Sequence, residues 1–223
     1  EKEKHKKKHV VKAVKTSSKE SKIQKDSQIS LLICWKIEKK RRKKMIAYKA
    51  FQKNLSCLGF QYKETEWNYT EKAACRKTGF HCAENPLDCL IYYSNPDLAQ
   101  YCVVEVAGER QEEGDDSKIA CTQLRIVRRL TLLELLIEGV AYMLQYPHRR
   151  LSKIIQIEKG SPMGGFTVVR GKHPIGKGRK DTILLLIRED IKGNIVNFSV
   201  IIIDGKEYVP NVYYDFDGRK AEE

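Results

Sequence analysis

The chain has 223 residues, 41% of them apolar and 32% charged, with a formal net charge of +13. Of its 42 Lys/Arg and 29 Asp/Glu, residues 1–44 hold 17 and 5, which leaves 25 and 24 for residues 45–223; the near-neutral body lacks the basic face by which a nucleic-acid or anionic-membrane binder is recognised. Seven cysteines, with no CxxC pair, read as small buried hydrophobes of a reducing compartment, and the spacing of Cys75, Cys82 and Cys89 around His81 lacks the paired ligands of a structural zinc site, so no metal is expected.

Residues 1–44 read as a basic, disordered tail. Arg41-Arg42-Lys43-Lys44 stand immediately before Met45, a run that a purine-rich ribosome-binding sequence and spacer can spell, so the tail is expected to be translated leader with the protein starting at Met45. If the tail is native, its Lys/Arg runs offer phosphate contacts that the body lacks, and nucleic acid becomes a partner on that condition alone. The tail's apolar run, residues 29–37 (ISLLICWKI), falls far short of the roughly 20 residues a membrane span needs. No A-x-A-like cleavage site follows it. The protein is therefore expected in the cytoplasm of a bacterial host, with no membrane partner.

From Met45 onward the elements are legible. Residues 46–51 (IAYKAF) alternate as an opening strand, and residues 59–62 form a second extended piece after a turn around Asn54. In residues 78–88 the second half starts a helix, with Asn85 as N-cap, Pro86 at the first helical position and Asp88 near the positive end of the dipole; the helix should run to Tyr93 and stop before Pro96. Residues 101–106 are a strand, residues 108–118 an acidic solvated loop without calcium-site spacing, and residues 119–127 bring the chain back extended. Thr131 and Glu134 form a capping box ahead of a helix over residues 132–145, whose apolar face is Leu132, Leu135, Leu136, Val140 and Leu144.

Residues 154–180 are rich in glycine and read as turns and short strands. Residues 171–178 imitate a GxxxxGK phosphate loop, but Gly178 replaces the magnesium-binding hydroxyl, Pro174 interrupts the cradle and a strand follows where a helix is required. Residues 182–188 and 195–203 bracket a hairpin turn at residues 191–194, and Asp204-Gly205 leads to residues 208–214 as a third strand. The expected fold is α+β: a mixed or antiparallel sheet with two helices plus a C-terminal three-stranded β-meander. The expected divisions are a tail over 1–44, an α+β core over 45–150, a Gly/Pro-rich connection over 151–180 and the meander over 181–217.

The segments MIAYKAF, CLGFQY, TGFHCAENPLDCLIYY, YCVVEVAGE and DSKIACTQLRIVR, spanning residues 45 to about 127, with the C-terminal DGKEYVPNVYY, resemble a phage and prophage family of unknown function marked by a GFH-x-x-ENPLD motif. The resemblance implies a start near MIAYKAF and names no activity. Ala83 departs from the cysteine usual at its position.

Two functional readings follow from the residues. In the first, the protein is a protein-interaction or structural module without catalysis or cofactor, its sheet edges and tyrosine-rich surface suited to a protein partner. In the second, His81 and Glu105 act at a cleft lined by Tyr48, Gln61, Tyr62, Asn85 and Tyr92, with an anion site at the helix start. The order of elements there is similar to ADP-ribosyltransferase-like domains, a likeness that implies NAD as the bound cofactor on this reading alone. There His81 would donate to a phosphate and Glu105 accept from a ribose hydroxyl. Cysteine catalysis is disfavoured because His81 and Cys82, adjacent on an extended segment, point opposite ways.

Overall fold

A computed structural model describes residues 45–112 and 117–222; the expectations for the tail and for the tip of the acidic loop lie outside the described residues. The first sheet is antiparallel throughout. It is built from β1 (Met45–Gln52), β4 (Trp67–Tyr69), β5 (Phe80–Ala83), β6 (Ala99–Glu112) and β7 (Lys118–Leu130). A two-rung hairpin of β2 (Ser56–Cys57) and β3 (Phe60–Gln61) lies between β1 and β4 in the chain. β6 pairs along its length with β1 on one side and β7 on the other, β5 pairs with β7, and β1 meets β5 at Tyr48 and Ala83. These four strands close a ring, and β4 continues it along β7.

Closure follows from period-2 alternation and two bulges. Ala47 and Phe51 of β1, Cys102, Val104 and Val106 of β6, Ile119, Cys121, Leu124 and Ile126 of β7, and Phe80 and Cys82 of β5 form one buried cluster inside the ring. The β6–β7 register slips between Val103 and Val104 and again between Ala107 and Arg110, the irregularities by which a ladder bends enough to close. At the second, Gly108 sits at φ +75° and a Cβ there would lie 2.2 Å from the Thr122 hydroxyl, which accepts the Glu109 N–H at 2.9 Å. Only glycine fits that position.

The outer face of the ring packs on two helical pieces and a second sheet. Asn85 caps a 3-10 turn over Pro86–Asp88 that runs directly into α1 (Cys89–Tyr92). Thr131 caps α2 (Leu132–Gln145): its hydroxyl accepts the Glu134 N–H while the Glu134 carboxylate accepts the Thr131 N–H, the reciprocal satisfaction read from the sequence. Leu135, Leu136, Val140 and Met143 of α2 are buried with Leu87 and Leu90 against Phe166, Val168, Leu185 and Ile187 of the second sheet, so both sheets share this core.

The second sheet has the order β11–β10–β9–β8, from β8 (Ile155–Gly160), β9 (Phe166–Gly176), β10 (Ile183–Glu189) and β11 (Ile195–Ile202). β8–β9 and β9–β10 are parallel although only residues 161–165 and 177–182 connect them, where a parallel neighbour ordinarily needs a crossover of a dozen or more residues. The chain manages this by doubling back within β9. The register jumps from Ile157 opposite Arg170 to Lys159 opposite Ile175, and between them Glu158, at φ +60°, turns its carboxylate to accept the N–H groups of Lys172 and His173 at 2.8 and 3.0 Å. The Thr167 hydroxyl then donates to the Lys177 carbonyl at 2.8 Å, which puts the far end of β9 beside its beginning and leaves little distance to the start of β10.

Two short helices and mostly antiparallel sheets make the fold α+β or mainly β, and β10 and β11 form the expected hairpin, with Asp190 accepting the N–H groups of Lys192 and Asn194 in the turn. The three-stranded meander needs correction. Residues 208–214 make no strand; Tyr214 forms isolated bridges with Gly176 and Lys220 and is buried with Val169, Leu184 and Leu186. Pro210 has no N–H to give a ladder and Asn211 is left-handed at φ +64°, while β10 already has β9 and β11 on its two edges.

Candidate functional sites

The sequence-derived site residues occupy separate places. His81 is half-buried on β5, and its Nε2 accepts the Arg76 N–H at 3.0 Å, holding the tight turn of residues 74–78 in which Arg76 is left-handed. Burial first, and then the charges of Lys49 and Lys118, hold its pKa below the usual imidazole value. Glu105 is on the outer face of β6, ion-paired at 2.6 Å with Arg125 directly across the ladder; the Arg125 guanidinium lies 5.3 Å from the Trp67 ring, the next partner in register. His81 stands opposite Ala120 and Glu105 opposite Arg125, five positions apart along β7, roughly 16 Å at strand rise. The structure does not bring the two together.

Asn85 spends its side chain on the Leu87 N–H at 3.0 Å and its own N–H on the Ser117 hydroxyl at 2.8 Å. Asp88 accepts both the Ser117 N–H and hydroxyl, and Pro86, Leu87 and Asp88 are all buried, so the helix start faces protein. Tyr48 points outward and donates to Glu138 of α2 at 2.9 Å, whereas Tyr62 is inside the ring against Phe51, Phe60 and Phe80. Gln61 braces the β2–β3 hairpin through the Asn54 carbonyl at 2.8 Å, and the exposed Tyr92 hydroxyl accepts from Lys118 at 2.6 Å. A dinucleotide clamp needs these side chains on one cleft; they lie on both faces of the ring.

A different constellation lies inside it. Lys49 is in phase with Ala47 and Phe51, so its side chain enters the ring interior and is only 4% exposed. Its ammonium donates to the His81 carbonyl at 2.7 Å, lies 5.1 and 5.3 Å from the ring centres of Phe51 and Tyr62, and reaches the Cys57 sulfur at 3.6 Å. The Tyr93 hydroxyl donates to the same sulfur at 3.4 Å. Burial, followed by that hydrogen bond, pushes the Tyr93 phenol up, and burial does the same for Tyr62. A buried ammonium is tolerable only where dipoles, rings or counter-charge replace its water; here a carbonyl, two rings and a polarisable sulfur do so. The signal for Lys49 was present in the sequence as a lysine in phase with the apolar positions of IAYKAF. Cys57 and Tyr93 carried no such mark.

A third feature is the outer edge of the second sheet. Among the described strands β11 pairs with β10 alone, and Ile195–Ile202 (IVNFSVII) contains neither a charged residue nor a proline. Val196, Phe198 and Ile202 are 56, 38 and 50% exposed. Opposite Phe198 and Ile202 in register stand Ile187 and Ile183, on the face that packs toward the shared core.

Together these features define an α+β or mainly β protein in which a closed antiparallel ring packs through a short and a longer helix onto a mixed sheet. Residues 45–138 match the family described as a domain of unknown function (DUF7666); that domain spans the ring and α2 as far as Glu138, and the second sheet lies beyond it. No curated protein and no solved structure matches the chain. Among the described residues no helix is long and apolar enough to cross a membrane.

Proposed function

We propose that this protein is a protein-interaction module whose docking element is the free edge of β11, and that the partner there is a second copy of the chain. The supporting observation is the composition of that edge. Exposed edge strands are ordinarily blunted by charge, proline, a bulge or a covering element because their unpaired N–H and C=O groups recruit other strands; β11 has one register irregularity, at Val196 near its start, but all eight residues of Ile195–Ile202 are uncharged. An uncharged apolar edge is matched by a strand of the same kind. β11 is itself such a strand, and pairing it antiparallel with its own copy about a two-fold axis gives a closed, isologous contact. Phe198 and Ile202 of each copy, which share one face of the strand, would then meet across the contact.

Sedimentation equilibrium of the full chain, alone and as Phe198→Lys, tests this reading. A two-chain mass for the wild type at concentrations of tens of micromolar, falling to one chain in Phe198→Lys with an unchanged near-UV spectrum, is the expected result. A monomeric wild type, or a dimer that survives the lysine, overturns it.

A further inference from the structure

We propose that Cys57 is a nucleophilic thiol that a hydroperoxide oxidises to a sulfenic acid, set up by the Lys49 ammonium and the Tyr93 hydroxyl that converge on its sulfur. Both contacts run in the same direction: the nitrogen at 3.6 Å and the phenol oxygen at 3.4 Å are donors, and the sulfur is the acceptor of each. A cationic nitrogen and a hydroxyl that both point at one sulfur make the kind of electropositive, partly exposed setting in which reactive cysteines are found. Lys49 is fixed in that direction by the His81 carbonyl and the rings of Phe51 and Tyr62, so the pairing does not depend on a solvated side chain swinging into place.

Access separates Cys57 from the other thiols. It is partly exposed on the β2–β3 hairpin, next to the exposed Leu58 and to Gly59, around which the space is open. Cys75, Cys82, Cys89, Cys102 and Cys121 are buried. Burial pushes the Cys89 and Cys102 thiols up to about 12 each; the Cys82 thiol, which donates to the Ile119 carbonyl at 3.7 Å, is raised by its neighbour Cys121 and by burial, and Cys121, which that neighbour holds below the usual thiol value, is sealed inside the ring with no exposed surface. Susceptibility to oxidation follows thiolate character and exposure together.

The step balances as Cys–SH plus ROOH giving Cys–SOH plus ROH. The sulfur gives up its proton to solvent and attacks one peroxide oxygen; the S–O bond forms as the O–O bond breaks, and the departing alkoxide takes a proton from the Lys49 ammonium, which solvent restores. Sulfur is oxidised by two electrons and the peroxide is reduced by two.

The full chain is treated with hydrogen peroxide in the presence of a cyclic 1,3-diketone that traps sulfenic acids, and each cysteine, Cys34 included, is followed by peptide mass. Cys57 should be trapped at least about tenfold faster than the five buried thiols, and Tyr93→Phe and Lys49→Met should each slow it by roughly tenfold, the scale of one hydrogen bond to a charged group. Trapping at Cys57 no faster than at the buried thiols overturns the proposal. So does a Cys57 rate unchanged in Tyr93→Phe, which would mean that exposure alone makes it react; Tyr93→Phe removes a single oxygen and decides the matter even if Lys49→Met loses its near-UV spectrum.

Discussion

At the scale of single residues, polar side chains that resemble a catalytic set are spent on holding the chain in place. His81 is the clearest case, since its ring nitrogen accepts a backbone N–H in a turn that contains a left-handed arginine. Its depressed pKa has a consequence for stability. The unfolded imidazole titrates near 6.5, and the folded one titrates lower because burial and two lysines oppose its charge. The unfolded chain then binds the extra proton, so the stabilisation is fully present above about pH 6.5 and is lost as pH falls from there through the folded value. Urea midpoints taken between pH 7.5 and 5.5 should decline more steeply for the wild type than for His81→Gln, which keeps an acceptor for the Arg76 N–H but cannot titrate; parallel slopes would refute the assignment. Glu158, Asp190 and Asp204 do not blur this window, because backbone N–H groups hold the Glu158 and Asp204 carboxyls, and the Asn194 side chain first of all the Asp190 carboxyl, below their usual range.

At the scale of elements, what the sequence disclosed and what it concealed divide by whether the determining contact is local. Strand β1, the first half of β6, most of β7, the Asn85-Pro86 helix start, α2 with its capping box and the β10–β11 hairpin are all written in alternation or in residues within four positions of one another, whereas residues 108–112, expected as a solvated loop, continue β6 along β7. The capping box gives a quantitative test. Thr131→Ala leaves the Glu134 N–H without its acceptor and should cost about 1 kcal/mol of unfolding free energy, read as a lower denaturant midpoint with an unchanged m-value; no shift would mean that tertiary packing alone sets the start of α2. The doubling of β9 was not legible, because it depends on Glu158 reaching residues fourteen and fifteen positions away and on the Thr167–Lys177 bond. The same distinction applies to the site. Lys49 could be picked out by its phase on β1, whereas Cys57 and Tyr93 reach it only once the ring has closed and α1 has packed beneath it.

At the scale of the whole molecule, the ring and the second sheet are joined by a core to which both contribute, with Leu87, Leu135 and Leu136 on one side and Phe166, Val168 and Leu185 on the other. The ring itself is unequally fastened. Residues Tyr101 to Val106 of β6 are laddered to β1 and to β7 at once, while β1 meets β5 through the single register pair of Tyr48 and Ala83. In the currency of solvent exchange this makes the molecule a cylinder with a spine and a seam. Backbone amides at the centre of β6 should be among the last to acquire deuterium, at free energies approaching those of global unfolding, and amides around Ala83 should exchange orders of magnitude sooner by a local parting of the two strands. Such a parting would open the ring beside the His81 carbonyl, which is where the Lys49 ammonium is tethered. Uniform protection of β5 and β6 would instead mark the cylinder as a single cooperative unit.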